Sequence, residues 1–291
     1  MPKSWSFHLS WSGACWQLKL RSGLCCRCAA LLPMELIMRY FVWVISWRSG
    51  CRVSAGQQKM LRRNGEWRWL PQLAPQLPVP VSVPIFCGVA AEEYPWNWSI
   101  CPWLPGKHPQ AGQSSHPQGL TSDLAGFFQA LHRQPAPAEA PAAGRGGPVR
   151  LRDEDVREVI QELGARVNGR AVLRAWDAVM ESPDWSGPPV WIHGDPLGGN
   201  LLTQAGRLSA VIDFGGLGVG DPAADFLGAW QLFTPFQRRS YRQLSGVDEA
   251  TWQRARGWAL SVALFALPYY WDTAPSIRER SQQMIAQVLL D

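Results

Sequence analysis

Between residues 190 and 225 the chain carries a run of polar residues whose spacing leaves few folds open. Pro188-Pro189 forces an extended lead into Val190-Trp191-Ile192, a short apolar strand. That strand runs directly into His193-Gly194-Asp195-Pro196-Leu197-Gly198-Gly199-Asn200. Residues 200–203 and 208–214 then flank a turn at Ala205-Gly206, which predicts a hairpin. Val211-Ile212-Asp213-Phe214-Gly215 closes the hairpin, and Gly220-Asp221-Pro222-Ala223-Ala224-Asp225 follows it. Carboxylates and one amide thus fall at strand ends, rigid places where several oxygens can be held around one centre. An Asp in a loop after a strand can accept a proton from a hydroxyl. An Asn five residues on, and an Asp ending the next strand, can offer oxygen to the same hard cation.

Each piece has a bland reading when taken singly. Asp-Phe-Gly marks many turns, because Asp and Gly supply turn chemistry, and His-Gly-Asp is no more specific. Their order and spacing on strand ends are what chance explains poorly. Asp221 reads as a structural turn residue. The run Tyr269-Tyr270-Trp271 reads as core packing, with Asp272 beside it as a conceivable contact for a cationic ligand.

Helices surround this core. Leu124, Phe127, Phe128 and Leu131 recur at three and four residues, so they share one helical face, with Thr121 or Ser122 as the expected cap. Residues 134–148 are a Pro/Ala/Gly stretch without periodicity, expected as a surface linker. Asp153 is the expected cap of a helix carrying Val156, Val159, Ile160 and Leu163. Another follows through Val172, Ala175, Trp176 and Val179. A long apolar helix around residues 258–267 is expected to stop at Pro268. Residues 66–73 read as the end of a helix, stopped by Pro75, Pro78 and Pro80. Residues 84–88 and 96–103 read as short strands before a turn at Leu104-Pro105-Gly106.

The motifs resemble the aminoglycoside phosphotransferase family of small-molecule kinases. The likeness rests on His193-Gly194-Asp195 with Asn200, on Asp213-Phe214-Gly215 and on Gly220-Asp221-Pro222-Ala223-Ala224-Asp225. Trp67-Arg68-Trp69-Leu70-Pro71, Tyr94-Pro95-Trp96-Asn97-Trp98-Ser99 and Trp103-Leu104-Pro105-Gly106 resemble its later N-lobe segment and hinge. Gly257-Trp258-Ala259-Leu260 and Leu267-Pro268-Tyr269-Tyr270 resemble its C-terminal helices. The likeness runs from about Glu66 to the end. It implies an α+β, two-lobed protein-kinase-like fold: residues 65–106 would be the remainder of the N-lobe with the hinge, and residues 107–291 a mainly helical C-lobe with the catalytic hairpin.

By that resemblance, Asp195 would be the catalytic base and His193 would orient its loop. Asn200 and Asp213 would bind magnesium (Mg2+), and Asp225 would anchor the loop. Glu66 is the nearest match to the helix Glu that pairs with the nucleotide-binding basic residue. Ser99, Ile100 and Cys101, running into Pro102, would face adenine of ATP from the hinge. The implied activity is transfer of the ATP γ-phosphate to a hydroxyl of a small-molecule acceptor, aminoglycosides being the namesake. One departure is Pro196, where the family usually has Leu, so the backbone after the base is stiffer and lacks one N–H.

Residues 1–64 have a different texture, and composition enters here. Ten Lys or Arg and the single acid Glu35 precede residue 66, a net +9, leaving −4 on residues 66–291. Five of the seven cysteines fall there. Cys25-Cys26-Arg27-Cys28 is too compact for paired zinc ligands, and an odd total gives no disulfide framework. Cys87 and Cys101 read as reduced, buried thiols of a cytoplasmic protein. No zinc-finger or aromatic-interleaved basic motif supports nucleic-acid binding. Pro33, Glu35 and Arg39 break the apolar stretch from Ala29 to Trp47, so no membrane span is expected.

No Gly-rich loop between alternating strands, and no strand-borne basic residue, can be placed in residues 1–64. Lys59 and Arg62 lie too near Glu66 for that strand. The N-lobe is therefore expected to be atypical or incomplete, with residues 1–64 an atypical segment translated out of frame or from a misassigned start. Four Lys against twenty-four Arg is the balance of a GC-rich coding sequence, in which a shifted frame yields such residues. The alternative function is a catalytically impaired, kinase-like binding remnant that cannot clamp ATP. A further alternative makes residues 1–64 a membrane or targeting extension.

Overall fold

A computed structural model of the chain describes residues 65–88, 98–109 and 117–291, with the backbone of four earlier strands. The chain divides into two units, residues 1–53 with 83–103 and residues 54–82 with 104–291.

In the first unit, β1 (Phe7–Trp11) and β2 (Trp16–Leu20) pair antiparallel, and β3 (Cys25–Arg27) pairs with β2. The register sets Leu9 opposite Leu18 and Trp11 opposite Trp16, and His8 opposite Lys19. In the register, apolar sequence positions thus stand opposite apolar ones and polar opposite polar. Alternating strands thus occur within residues 1–64, where the sequence reading placed none. Phe7–Trp11 and Trp16–Leu20 each alternate apolar and polar residues over five positions, a strand signal that sequence reasoning missed. Readings that fall on residues 28–42 and 45–64, Lys59 and Arg62 included, lie outside the described residues. A second sheet has the order β4 (Trp43–Val44), β6 (Trp98–Cys101), β5 (Phe86–Gly88), all antiparallel.

The second unit is mainly helical. Helix α1 (Glu66–Leu73) begins after Gly65 and is a complete short helix, not the tail of a longer one. It passes through Pro71, so the prolines beyond Leu73 meet a chain already in a 3-10 turn. Its Trp69 packs on Trp191, ring centroids 5.4 Å apart. Helix α2 (Pro117–His132) starts before Thr121 and Ser122, which are interior residues rather than caps; its face of Leu124, Phe127, Phe128 and Leu131 is buried as the spacing predicts.

Helix α3 (Asp153–Leu163) and α4 (Gly169–Met180) bury the predicted apolar residues. Asp153 is the first helical residue, not the cap. Its carboxylate accepts from Arg157 and from the Trp176 indole, tying α3 to α4. Asn168 caps α4, accepting from the Ala171 N–H.

Helices α5 (Ala229–Leu232), α6 (Pro235–Ser245), α7 (Glu249–Tyr270) and α8 (Pro275–Val288) complete the unit. Helix α7 is buried along most of its length and packs on α8, α3 and α4. It runs through Pro268 instead of stopping there. Proline removes only one N–H near the end of the helix, and the turn before it is anchored by the buried Leu264 and Leu267. The aromatic run that follows lies at the surface, correcting the expectation of core packing: Tyr269 is exposed and edge-on to Tyr270, and Trp271 is flanked by the guanidinium groups of Arg166 and Arg278. Among the described residues, no helix is long and apolar enough to cross a membrane.

Candidate active site

Two small ladders hold the site. Strand β7 (Val190–Ile192) pairs antiparallel with β10 (Gly218–Gly220), and β8 (Leu201–Gln204) pairs with β9 (Arg207–Val211). Ala205 and Gly206, both at positive φ, make the tight turn of the β8–β9 hairpin. Strand β7 thus delivers the loop 193–200, and the open end of the hairpin delivers Asn200 and Asp213.

The loop is pinned from beneath by one buried carboxylate. Asp225, in the 3-10 turn Pro222–Phe226, accepts from the backbone N–H groups of His193 (3.1 Å) and Gly194 (2.8 Å). It also accepts from Nε2 of His132, the last residue of α2, at 2.9 Å. Buried carboxylates need such donors, and here three converge. His193 is fully buried and serves as a spacer. The Asp195 N–H donates to its Nδ1, so the ring proton sits on Nε2, which donates to the Ile212 carbonyl at 3.0 Å. The ring packs on Phe214, centroids 4.6 Å apart. Gly194 takes φ +81°, a conformation that L side chains disfavour.

Asp195 stands at the outer end of this stack, partly exposed. Asn200 Nδ2 donates to its backbone carbonyl (2.8 Å) and to Oδ2 (3.1 Å). Oδ1 accepts from Arg145 Nη1 at 2.8 Å. The Asn200 carbonyl accepts from the Ile212 N–H, so the amide residue is tied to the strand leading into Asp213. Asp213 takes φ +59°, a strained region for a non-glycine residue, and its N–H donates to Ser82 Oγ. The N–H missing at Pro196 is not needed for the turn: Leu197 N–H closes it onto the Asp195 carbonyl, and Gly198 N–H donates to Gln231.

A half-buried carboxylate, Asp195, stands beside two further oxygen-bearing side chains, Asn200 and Asp213, at one hairpin end. A profile of the phosphotransferase enzyme family (APH) matches residues 43–258, about three quarters of the chain. The chain belongs to the phosphotransferase enzyme family.

No curated protein sequence matches this phosphotransferase. Solved structures do match its fold. The GDP complex of wild-type aminoglycoside 2'-phosphotransferase-IIIa has a TM-score of 0.63 at 15% identity, over 99% of this chain and 94% of that one. The GDP and kanamycin complex of APH(2")-IIia gives 0.59 at 16%, over 99% and 91%. Macrolide 2'-phosphotransferase type I gives 0.53 at 15%, over 96% and 90%. At such identities the likeness speaks to the fold, which is the α+β, kinase-like one expected.

Of the remaining predicted site residues, Glu66 opens α1 and is half-buried in the second unit. Ser99, Ile100 and Cys101 belong to β6, the central strand of their sheet in the first unit, paired with Phe86–Gly88 on one side and Trp43–Val44 on the other. The Ile100 carbonyl also accepts from the Ile85 N–H. The Cys101 side chain is buried; the Cys87 side chain lies outside the described residues.

Sequence reasoning missed Arg145 and His132. The stretch 134–148, expected as a surface linker, is a strap docked on β10. Ala143 N–H donates to the Val219 carbonyl, Val219 N–H to Pro141, and Asp221 N–H to Gly146. The available signal was one Arg among three glycines, Gly144-Arg145-Gly146-Gly147, in a stretch whose other charged residue is Glu139.

Proposed function

We propose that this phosphotransferase moves the γ-phosphate of ATP to a hydroxyl of a small molecule. Asp195 accepts the hydroxyl proton as the oxygen–phosphorus bond forms, and ADP leaves with the electrons of the broken bond. The observation that carries the reading is the closed corner at the hairpin end: Asn200 holds both the backbone and Oδ2 of Asp195 while its own backbone is tied to the strand of Asp213.

The donors in this corner fit magnesium. Asn200 spends its amide nitrogen on Asp195, which leaves Oδ1 with no protein donor among the described residues. Among the described residues, the Asp213 carboxylate meets only the Gly215 N–H, at 3.4 Å. One carboxylate and one amide oxygen are an ordinary protein share for Mg2+, which keeps waters and phosphate oxygens as its other ligands. When bound, it would neutralise charge on the phosphates.

Acceptors worth assaying are those named with the solved relatives, kanamycin and the macrolides. The −4 charge on residues 66–291 favours a cationic acceptor at the level of encounter.

The test is phosphoryl transfer from ATP, with GTP in parallel, in the presence of Mg2+ and each acceptor, followed as a phosphate-sized mass gain. Turnover is expected with at least one acceptor, and Asp195→Asn should lower kcat by about 10²–10⁴-fold. A folded protein that phosphorylates none of them with either nucleotide would overturn the reading.

A further inference from the structure

We infer that Arg145 is a positioning residue for phosphoryl transfer, delivered to the base by the strap 141–146. The inference rests on the reading of Asp195 as the proton acceptor. A single nitrogen, Nη1, donates both to Asp195 Oδ1 and to the Gly194 carbonyl, each at 2.8 Å. The carbonyl fixes the guanidinium relative to the loop, and the guanidinium then fixes the carboxylate relative to its own backbone. Asn200 grips Oδ2 from the other side, so both oxygens of the base have a protein donor. Neither side chain is deeply buried, at 31% and 33% exposure, so the pair faces the solvent side where an acceptor must enter.

The strap gives the arginine a rigid mount. It runs parallel to β10 at the Ala142–Val219 bridge, and β10 is the partner of the strand that delivers the loop. A Cβ on Gly220 would collide with the Gly146 backbone, so glycine at both positions is what brings the two chains together. Base and arginine are therefore held by two segments that pair with the same strand, β10, and relative placement is precise where elements are rigid.

Physically, a carboxylate that must approach an anionic phosphate is repelled by it, and a cation bonded to that carboxylate reduces the repulsion. The other guanidinium N–H groups have no protein acceptor among the described residues, leaving them open to an acceptor or phosphate oxygen. A Lys cannot reproduce the arrangement with equal fidelity, because its ammonium lacks the planar fork.

The experiment compares wild type, Arg145→Ala and Arg145→Lys, using ATP, Mg2+ and whichever of kanamycin or the macrolides wild type phosphorylates. Circular dichroism and melting verify folding of each. Expected are a kcat about 10²-fold lower in Arg145→Ala, the scale of a misplaced catalytic group, and KM values within a few-fold of wild type. Arg145→Lys should fall between, and millimolar guanidinium should restore part of the kcat of Arg145→Ala while leaving wild type unimproved. An active wild type with undiminished or raised kcat in Arg145→Ala would overturn the inference alone, the raised value marking Arg145 as a gate. A loss that guanidinium does not rescue and Lys does not moderate would also overturn it, as a scaffold effect. A wild type inactive with every acceptor would overturn the functional reading and this inference with it.

Discussion

His193 illustrates how one buried side chain can tie two segments together. Its imidazole accepts from Asp195 and donates to Ile212, so it bridges the Asp195 loop and the strand of Asp213. Beneath it, Asp225 collects two backbone N–H groups and a histidine. In Asp225→Asn one carboxylate oxygen becomes an NH2 group, which must face at least one N–H donor. The variant should lose about 1–3 kcal/mol of stability, the cost of an unsatisfied buried group. Its kcat should drop about 10²-fold as the loop shifts. Urea denaturation and initial rates would check both, and a variant with wild-type kcat would argue that the loop is held from elsewhere.

At the level of elements, the strap and β10 depend on close backbone contact. A Cβ on Gly220 meets the Cα, C and O of Gly146, backbone atoms that cannot rotate away. Gly220→Ala is therefore expected to cost about 1–3 kcal/mol, the usual range for overpacking. Amide exchange at Ala143, whose N–H bonds to Val219, should accelerate. Gly144→Ala is the control, because nothing lies within 4 Å of the added carbon. Equal melting temperatures for the two variants would show that the strap is not seated as described.

Across the whole molecule, stability should respond to acid through a few surface carboxylates. The Arg207 hydrogen bond holds Asp123 below its ordinary pKa. Asp248 is lowered by the Thr251 hydroxyl and N–H, and Glu249 by Gln253 and Arg242. A depressed folded-state pKa means the unfolded chain takes up protons first as pH falls. Their contribution is complete above the unfolded values and is lost as pH falls through the folded ones. The melting temperature should thus be level down to about pH 5 and decline below about pH 4. Asp123→Asn should shrink that decline. A decline of unchanged size would show that Asp123 adds nothing to it.

The proposed catalytic side chains were legible in sequence because their spacing is local. Asp195, Asn200 and Asp213 lie within one strand–loop–hairpin passage, where turn residues and short apolar runs announce the geometry. Helix faces were legible too, since a period near 3.6 is a property of neighbours, as Leu124, Phe127, Phe128 and Leu131 show. Helix ends were less so: α7 passes Pro268 and α2 begins before Thr121, because packing outweighs one local preference. By itself, the sequence determined the family and singled out Asp195, Asn200 and Asp213 as one candidate set of oxygen-bearing side chains. Only the tertiary structure decided what holds Asp195 in place, since Arg145 lies fifty residues before Asp195 and His132 ninety-three before Asp225. Their pairing depends on a strap lying along β10 and a helix ending above a buried turn. No local pattern encodes such meetings, because they form only when distant segments share one packed core.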